Sequence, residues 1–246
     1  MLSTFDDLRT QRDRVRNPEG VFYFGLDLGK AADHSALCII QKTVFPNPNY
    51  TGPPPRGWEP QPNNISKLRD DLFHIAALER YPLQTFYRDV RADVNRRVGN
   101  LKETGANVVL GIDMTGVGGG EVESYQFDNP HEASISPIYI TGGATAHTDR
   151  GVNYVPKNEL ITTTNTWMQT RKLRTSKRLD QLQAAKDFKR ELGSFQGKQK
   201  LSTGNVTLEA WREAEHDDLV LAVCMAVWLA KKDVGAEPFI ISNFVK

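Results

Sequence analysis

Two apolar runs of this chain each end in an aspartate and then turn: GLDLG, with Asp27, and GIDMTGVG, with Asp113. A third apolar stretch, HDDLVLAVCMAVWLA, is opened by a pair of acids, Asp217 and Asp218. Each run has the texture of a strand or helix that belongs in a core, and a core does not accept a lone ionised carboxylate cheaply. If the three elements lie side by side, their acids must share a counter-charge. The least costly one is a hard divalent ion bound through oxygen, Mg²⁺ or Mn²⁺.

The other elements decide whether such a meeting is reachable. Residues 1–20 read as a polar arm or helix closed by an Asn-Pro-Glu-Gly turn. Val21 to Leu28 is a buried strand, and Ser35 to Val44 follows closely enough to pair with it as a hairpin. Residues 45–67, with Pro53, Pro54 and Pro55, read as an excursion from the core. Asp71 to Leu78 is a third strand, and Leu83 to Leu101 carries apolar residues at helical steps. Ala106 to Asp113 is short and apolar enough for the centre of a sheet, a glycine-rich stretch leads into a short helix, and Ile135 to Thr141 is a fifth strand. Residues 142–204 read as a basic helical insertion, with helices from the VPK turn onward and over Leu179 to Phe195. In it GGATAHTDRG is a loop, Pro156 lies in a first helical turn, and GNVTLEAW is a turn and strand. The last helix spans Asp217 to Lys232. The expectation is one α/β domain over 21–246, a mixed five-stranded sheet flanked by helices, with its first three strands antiparallel.

At 246 residues and 39% apolar content the chain suits one sizeable core. Its two cysteines, Cys38 and Cys224, lie inside apolar runs and suit buried thiols in a reducing compartment. The charged start is no secretory signal and no apolar run approaches the ~20 residues of a membrane span, so a cytoplasmic protein is expected. A formal net charge of +1 does not announce a polyanion binder, so local charge must decide that question.

If the strands ending at Asp27 and Asp113 are neighbours with level ends, their carboxylates stand a few ångströms apart. Asp217 and Asp218 join them from a helix N-terminus, where the dipole favours negative charge. Acids converging in this way hold two metal ions about 3.5–4 Å apart, which together hydrolyse a phosphodiester. Adjacent helical residues point about 100° apart, so one of the pair faces the site more squarely. Asp33 is a candidate outer acid, and His216 a candidate contact to metal or substrate. Taken singly, each aspartate has an ordinary reading as turn residue or helix cap. Three in this order favour a shared site.

In these segments the chain resembles the nuclease domain of tailed-phage terminase large subunits, which has the RNase H-like fold. The matching pieces are Phe24 to Leu37, Glu79 to Tyr87, Val108 to Gly118, Tyr154 to Ile161, Lys189 to Phe195 and His216 to Trp228, in the family's order. The resemblance implies that Asp27, Asp113 and Asp218 are metal-binding catalytic acids, with Asp217 beside them, and that Lys157 lies near a DNA-facing insertion. It also implies double-stranded DNA as substrate, and a packaging ATPase, a small terminase subunit or a portal as partners. No GxxxxGK[ST] phosphate loop occurs, since GVGGGE at residues 116–121 lacks the lysine and hydroxyl. The chain is therefore expected to cut and to have no motor of its own.

Between Asp149 and Lys200 the basic residues, among them Arg150, Arg171, Lys172, Arg174, Lys177 and Arg178, outnumber the acids. Such a block can neutralise backbone phosphates on a near-neutral protein. Two rival readings share the scaffold: an acetate-kinase- or actin-like phosphotransferase, and an RNase H-like junction resolvase. The first has no need of a third acid at the HDD helix start.

Overall fold

A computed structural model describes residues 20–29, 33–46, 69–115, 118–201 and 217–234. All of the polar arm but Gly20, all of the proline-rich excursion but Phe45 and Pro46, GNVTLEAW and His216 lie outside the described residues.

The sheet has eight strands among the described residues, three more than the sequence predicts. They are β1 (Val21–Asp27), β2 (Ala36–Pro46), β3 (Arg69–Arg80), β4 (Asn107–Asp113), β5 (Ser134–Thr141), β6 (His147–Asp149), β7 (Val152–Pro156) and β8 (Leu173–Thr175), in the order β6-β7-β5-β4-β1-β2-β3-β8. As expected, β1, β2 and β3 pair antiparallel, whereas β1, β4, β5 and β7 run parallel. The additional strands all fall in the segment expected to be loop and helix. β6 and β8 are three residues each at the sheet's edges, and β6 is exposed throughout, so no apolar alternation marks it.

The helices are α1 (Tyr87–Lys102), α2 (Gly118–Phe127), α3 (Lys157–Gln169), α4 (Lys177–Asp180), α5 (Gln183–Leu201) and α6 (Asp218–Val234). The single helix expected over Leu179 to Phe195 is in fact α4, a break at Gln181 and Leu182, and α5. Residues 82–85 form a tight turn ahead of α1, with Gln84 at φ 64°. Pro156 is the last residue of β7 and the N-cap of α3, with extended backbone, so it stands one residue ahead of the first turn.

Each face of the sheet has its own core. Phe24, Leu26, Leu110 and Ile112 pack with Val90, Val94, Val98 of α1 and Val122, Tyr125 of α2. Tyr23, Cys38, Ile40 and Phe73 face α3, α5 and α6, and α6 is buried almost all round. Strand alternation puts Tyr23, Gly25 and Asp27 on the α6 face. Glycine at position 25 lets the helix lie directly on the strand: a Cβ there would stand 2.0 Å from the Ala222 carbonyl oxygen. Gly118 serves α2 similarly, since a Cβ would sit 1.6 Å from the Asp113 carbonyl oxygen. The first turn of α6 is thereby held beside the ends of β1 and β4.

Candidate metal centre

Asp27 and Asp113 are the last residues of neighbouring parallel strands. The pair Leu26 and Ile112 is the final matched register, so the two carboxylates leave the sheet level with one another. Both residues are buried, and so is Asp218 at the first position of α6. Asp217 directly precedes it, and its carbonyl accepts the Leu221 N–H at 2.9 Å. Among the groups whose charge reaches Asp27, Asp113 acts most strongly, followed by Asp218 and Asp217. The four aspartates singled out in the sequence thus share one neighbourhood.

Their electrostatics follow from that crowding. Burial, then the negative charges of Asp113, Asp218 and Asp217, push the Asp27 carboxyl well above the usual carboxylate range, while Lys157 pulls it down. No described group donates a hydrogen bond to Asp27. Burial likewise raises Asp113, opposed by the Thr115 N–H, which donates to Asp113 Oδ1 at 2.7 Å, by the Thr115 hydroxyl and by Lys157. The Thr115 hydroxyl in turn accepts the Ile140 N–H at 2.9 Å, tying this carboxylate to β5. On the other side, Tyr87 donates to the Gly29 carbonyl at 2.8 Å, and the Gly29 N–H donates to Ser35 Oγ at 3.2 Å, which braces the turn after Asp27.

Two protein cations stand among these acids. Lys157, the first residue of α3, donates to Asp217 Oδ2 at 2.8 Å, with 14% and 22% of the two side chains exposed. A cation at a helix N-terminus opposes the macrodipole, so the acids justify its position. The resemblance assigns Lys157 to a DNA-facing insertion; the observed side chain is turned into the acid cluster. Arg80, the last residue of β3, pairs with Glu191, lies 3.8 Å from Asp187 and places its Nε 4.0 Å from Asp218 Oδ2. Glu191 also accepts the Val220 N–H at 3.4 Å, so α5 supplies the oxygen that satisfies an N-terminal amide of α6.

Arg80 and Glu191 escape sequence reasoning because their roles are tertiary. Arg80 reads as an ordinary strand-end cation. Glu191 did carry a signal, an acid three residues after Phe188 and adjacent to Leu192 on the apolar face of α5, where an acid requires a partner.

Asp33 is exposed in the turn before β2, and no described contact joins it to the cluster. The basic block does not form one patch. Arg150 sits on the turn between β6 and β7, whereas Arg171, Arg174, Lys177 and Arg178 are exposed around β8 and α4. These are opposite edges of the sheet, seven inter-strand steps apart, or roughly 34 Å at about 4.8 Å each. Lys172 is half-buried with its ammonium 4.8 Å from the Trp167 ring centre and 5.6 Å from that of Phe73, so it packs against aromatic rings.

All the converging donors are carboxylate oxygens, which suit Mg²⁺ or Mn²⁺ and disfavour a thiolate-seeking ion. Among the described residues, no group of three or more His, Cys, Asp or Glu side chains is placed to hold a metal ion as the side chains stand. Cys38 and Cys224 are buried on facing elements, where burial raises both thiols, Cys224 to about 12, so neither is a nucleophile at neutral pH. Among the described residues no helix is long and apolar enough to cross a membrane. Comparison with protein-family models, with curated proteins and with solved structures returned no match to this chain.

Proposed function

We propose that this chain is a metal-dependent endonuclease that hydrolyses double-stranded DNA on an RNase H-like scaffold, the cutting half of a phage packaging terminase. The observation that carries the reading is the level, buried pair Asp27 and Asp113 on parallel neighbours, met by the Asp217-Asp218 start of α6. These four residues would hold Mg²⁺ or Mn²⁺. Bound there, the ions supply an activated water and charge stabilisation for the departing oxygen of a phosphodiester.

The chain's own groups do the rest. Thr115 orients Asp113, and Gly25 allows α6 to bring its acids to Asp27. Glu191 and Arg80 hold the first turn of α6 from the α5 side. Arg171, Arg174, Lys177 and Arg178 offer exposed positive charge along the β8 edge, where a duplex crossing the acids would run its backbone. A packaging ATPase, a small terminase subunit or a portal would be the partner that delivers DNA.

Supercoiled plasmid incubated with Mn²⁺ tests the proposal. Nicked and linear products are expected, falling at least a hundredfold for Asp27→Asn and for Asp113→Asn. Full activity in either variant refutes the assignment.

A further inference from the structure

Lys157 donates to Asp217, while Asp218 adjoins Arg80. The negative charges of Asp113, Asp218 and Asp217 all act on Asp27, and Lys157 opposes them.

The two protein cations are not equivalent. Arg80 is a planar, rigid group already shared between Glu191 and Asp187, so little of its charge is left for Asp218 at 4.0 Å. It belongs to the scaffold of α5 and α6. Lys157 is a point charge on a flexible stem, partly exposed, with its backbone anchored at the start of α3. A change of side-chain rotamer would take its ammonium from Asp217.

Charge counting then separates the two ions. Four aspartates and one ammonium carry three net negative charges, so one divalent ion leaves the site slightly negative. A second ion makes it positive unless Lys157 withdraws or a substrate phosphate enters. We propose that Lys157 rations the metal: while its ammonium holds Asp217, the acids take one divalent ion, and they accept a second only when that bridge opens. This rests on the nuclease reading above. It assigns to Lys157 the task of keeping the free protein from being fully loaded, so that complete loading coincides with the arrival of a phosphodiester.

The test counts ions and does not depend on cleavage. Full-length protein is titrated with Mn²⁺ without DNA, with heat followed by calorimetry and unbound Mn²⁺ by electron paramagnetic resonance. Wild type is expected to bind one ion, with a second at least tenfold weaker. Lys157→Met, which keeps the stem and removes the charge, should tighten the second ion at least tenfold and bring out the spectral coupling of two close Mn²⁺ ions. Lys157→Arg should retain the wild-type count. Two ions of equal affinity in wild type, or an unchanged second affinity in Lys157→Met, overturns the gate and leaves the nuclease reading standing. Absence of Mn²⁺ binding in both proteins, or binding unaltered by Asp27→Asn, overturns the nuclease reading and the gate with it.

Discussion

Asp27→Asn should stabilise the protein when no divalent ion is present. Asp27 is 8% exposed with another carboxylate at the end of the adjacent strand. Two charges about 4.8 Å apart repel by roughly 3 kcal/mol at an effective dielectric of ~20. Lys157 offsets part of this, and partial protonation of Asp27 caps the rest, so neutralising the side chain should be worth about 2 kcal/mol. For a chain of this size that raises Tm by roughly 4–8 °C. The pH dependence has a definite sign. A carboxyl raised in the folded state binds more protons there than in the unfolded chain, so its contribution to stability is greatest at low pH and is lost as pH climbs from the unfolded value of about 3.9 through the folded one. The advantage of Asp27→Asn should therefore be widest at neutral pH and shrink on acidification. Thermal unfolding in EDTA at several pH values measures it. Adding Mn²⁺ reverses the order, because ligand at a hundredfold its Kd stabilises wild type by about 2.7 kcal/mol and the variant much less. A variant no more stable than wild type in EDTA refutes the account of Asp27 as a buried, repelled carboxylate.

Five further outcomes follow from named interactions. Gly25→Val puts a side chain where the Ala222 carbonyl oxygen stands 2.0 Å from the new Cβ; it should cost about 3 kcal/mol or more by urea unfolding and abolish Mn²⁺ binding, since α6 must shift. Glu191→Ala leaves Arg80 without its closest acid and the Val220 amide without an acceptor, a loss of about 3–5 kcal/mol in chemical unfolding. Combined Arg174→Ala, Lys177→Ala and Arg178→Ala should weaken duplex binding and lower the salt slope by about 0.9 for each phosphate no longer neutralised. Arg150→Ala, on the other sheet edge, should alter that slope less, and Lys172→Ala should act by destabilising the packing at Trp167.

Much of the candidate site's placement in the fold was legible because the constraints on it are local and strong. An apolar run ending in aspartate defines both a strand and the end at which its acid emerges, and the crossover from β1 to β4 makes those ends coincide. The antiparallel β1-β2-β3 unit was legible from its short first turn and apolar runs. β6 and β8 were not, because three-residue edge strands draw their stability from a partner strand and carry no periodic pattern of their own. The division of the basic block was hidden for a related reason. Neighbours in sequence, Arg150 and Arg171, are separated by β7 and α3 and delivered to opposite edges. Lys157 was read from its place at a helix start, while its partner lies sixty residues on, and only the packing of α3 against α6 brings them together.

Crystals of the protein soaked in Mn²⁺ and measured at the manganese absorption edge test the central claim most directly. The account predicts at least one anomalous peak within coordinating distance of Asp27, shared with Asp113 or with the Asp217-Asp218 pair. An absence of manganese at these residues, or carboxylates more than ~8 Å apart where a two-ion site needs ions about 4 Å apart, would contradict it.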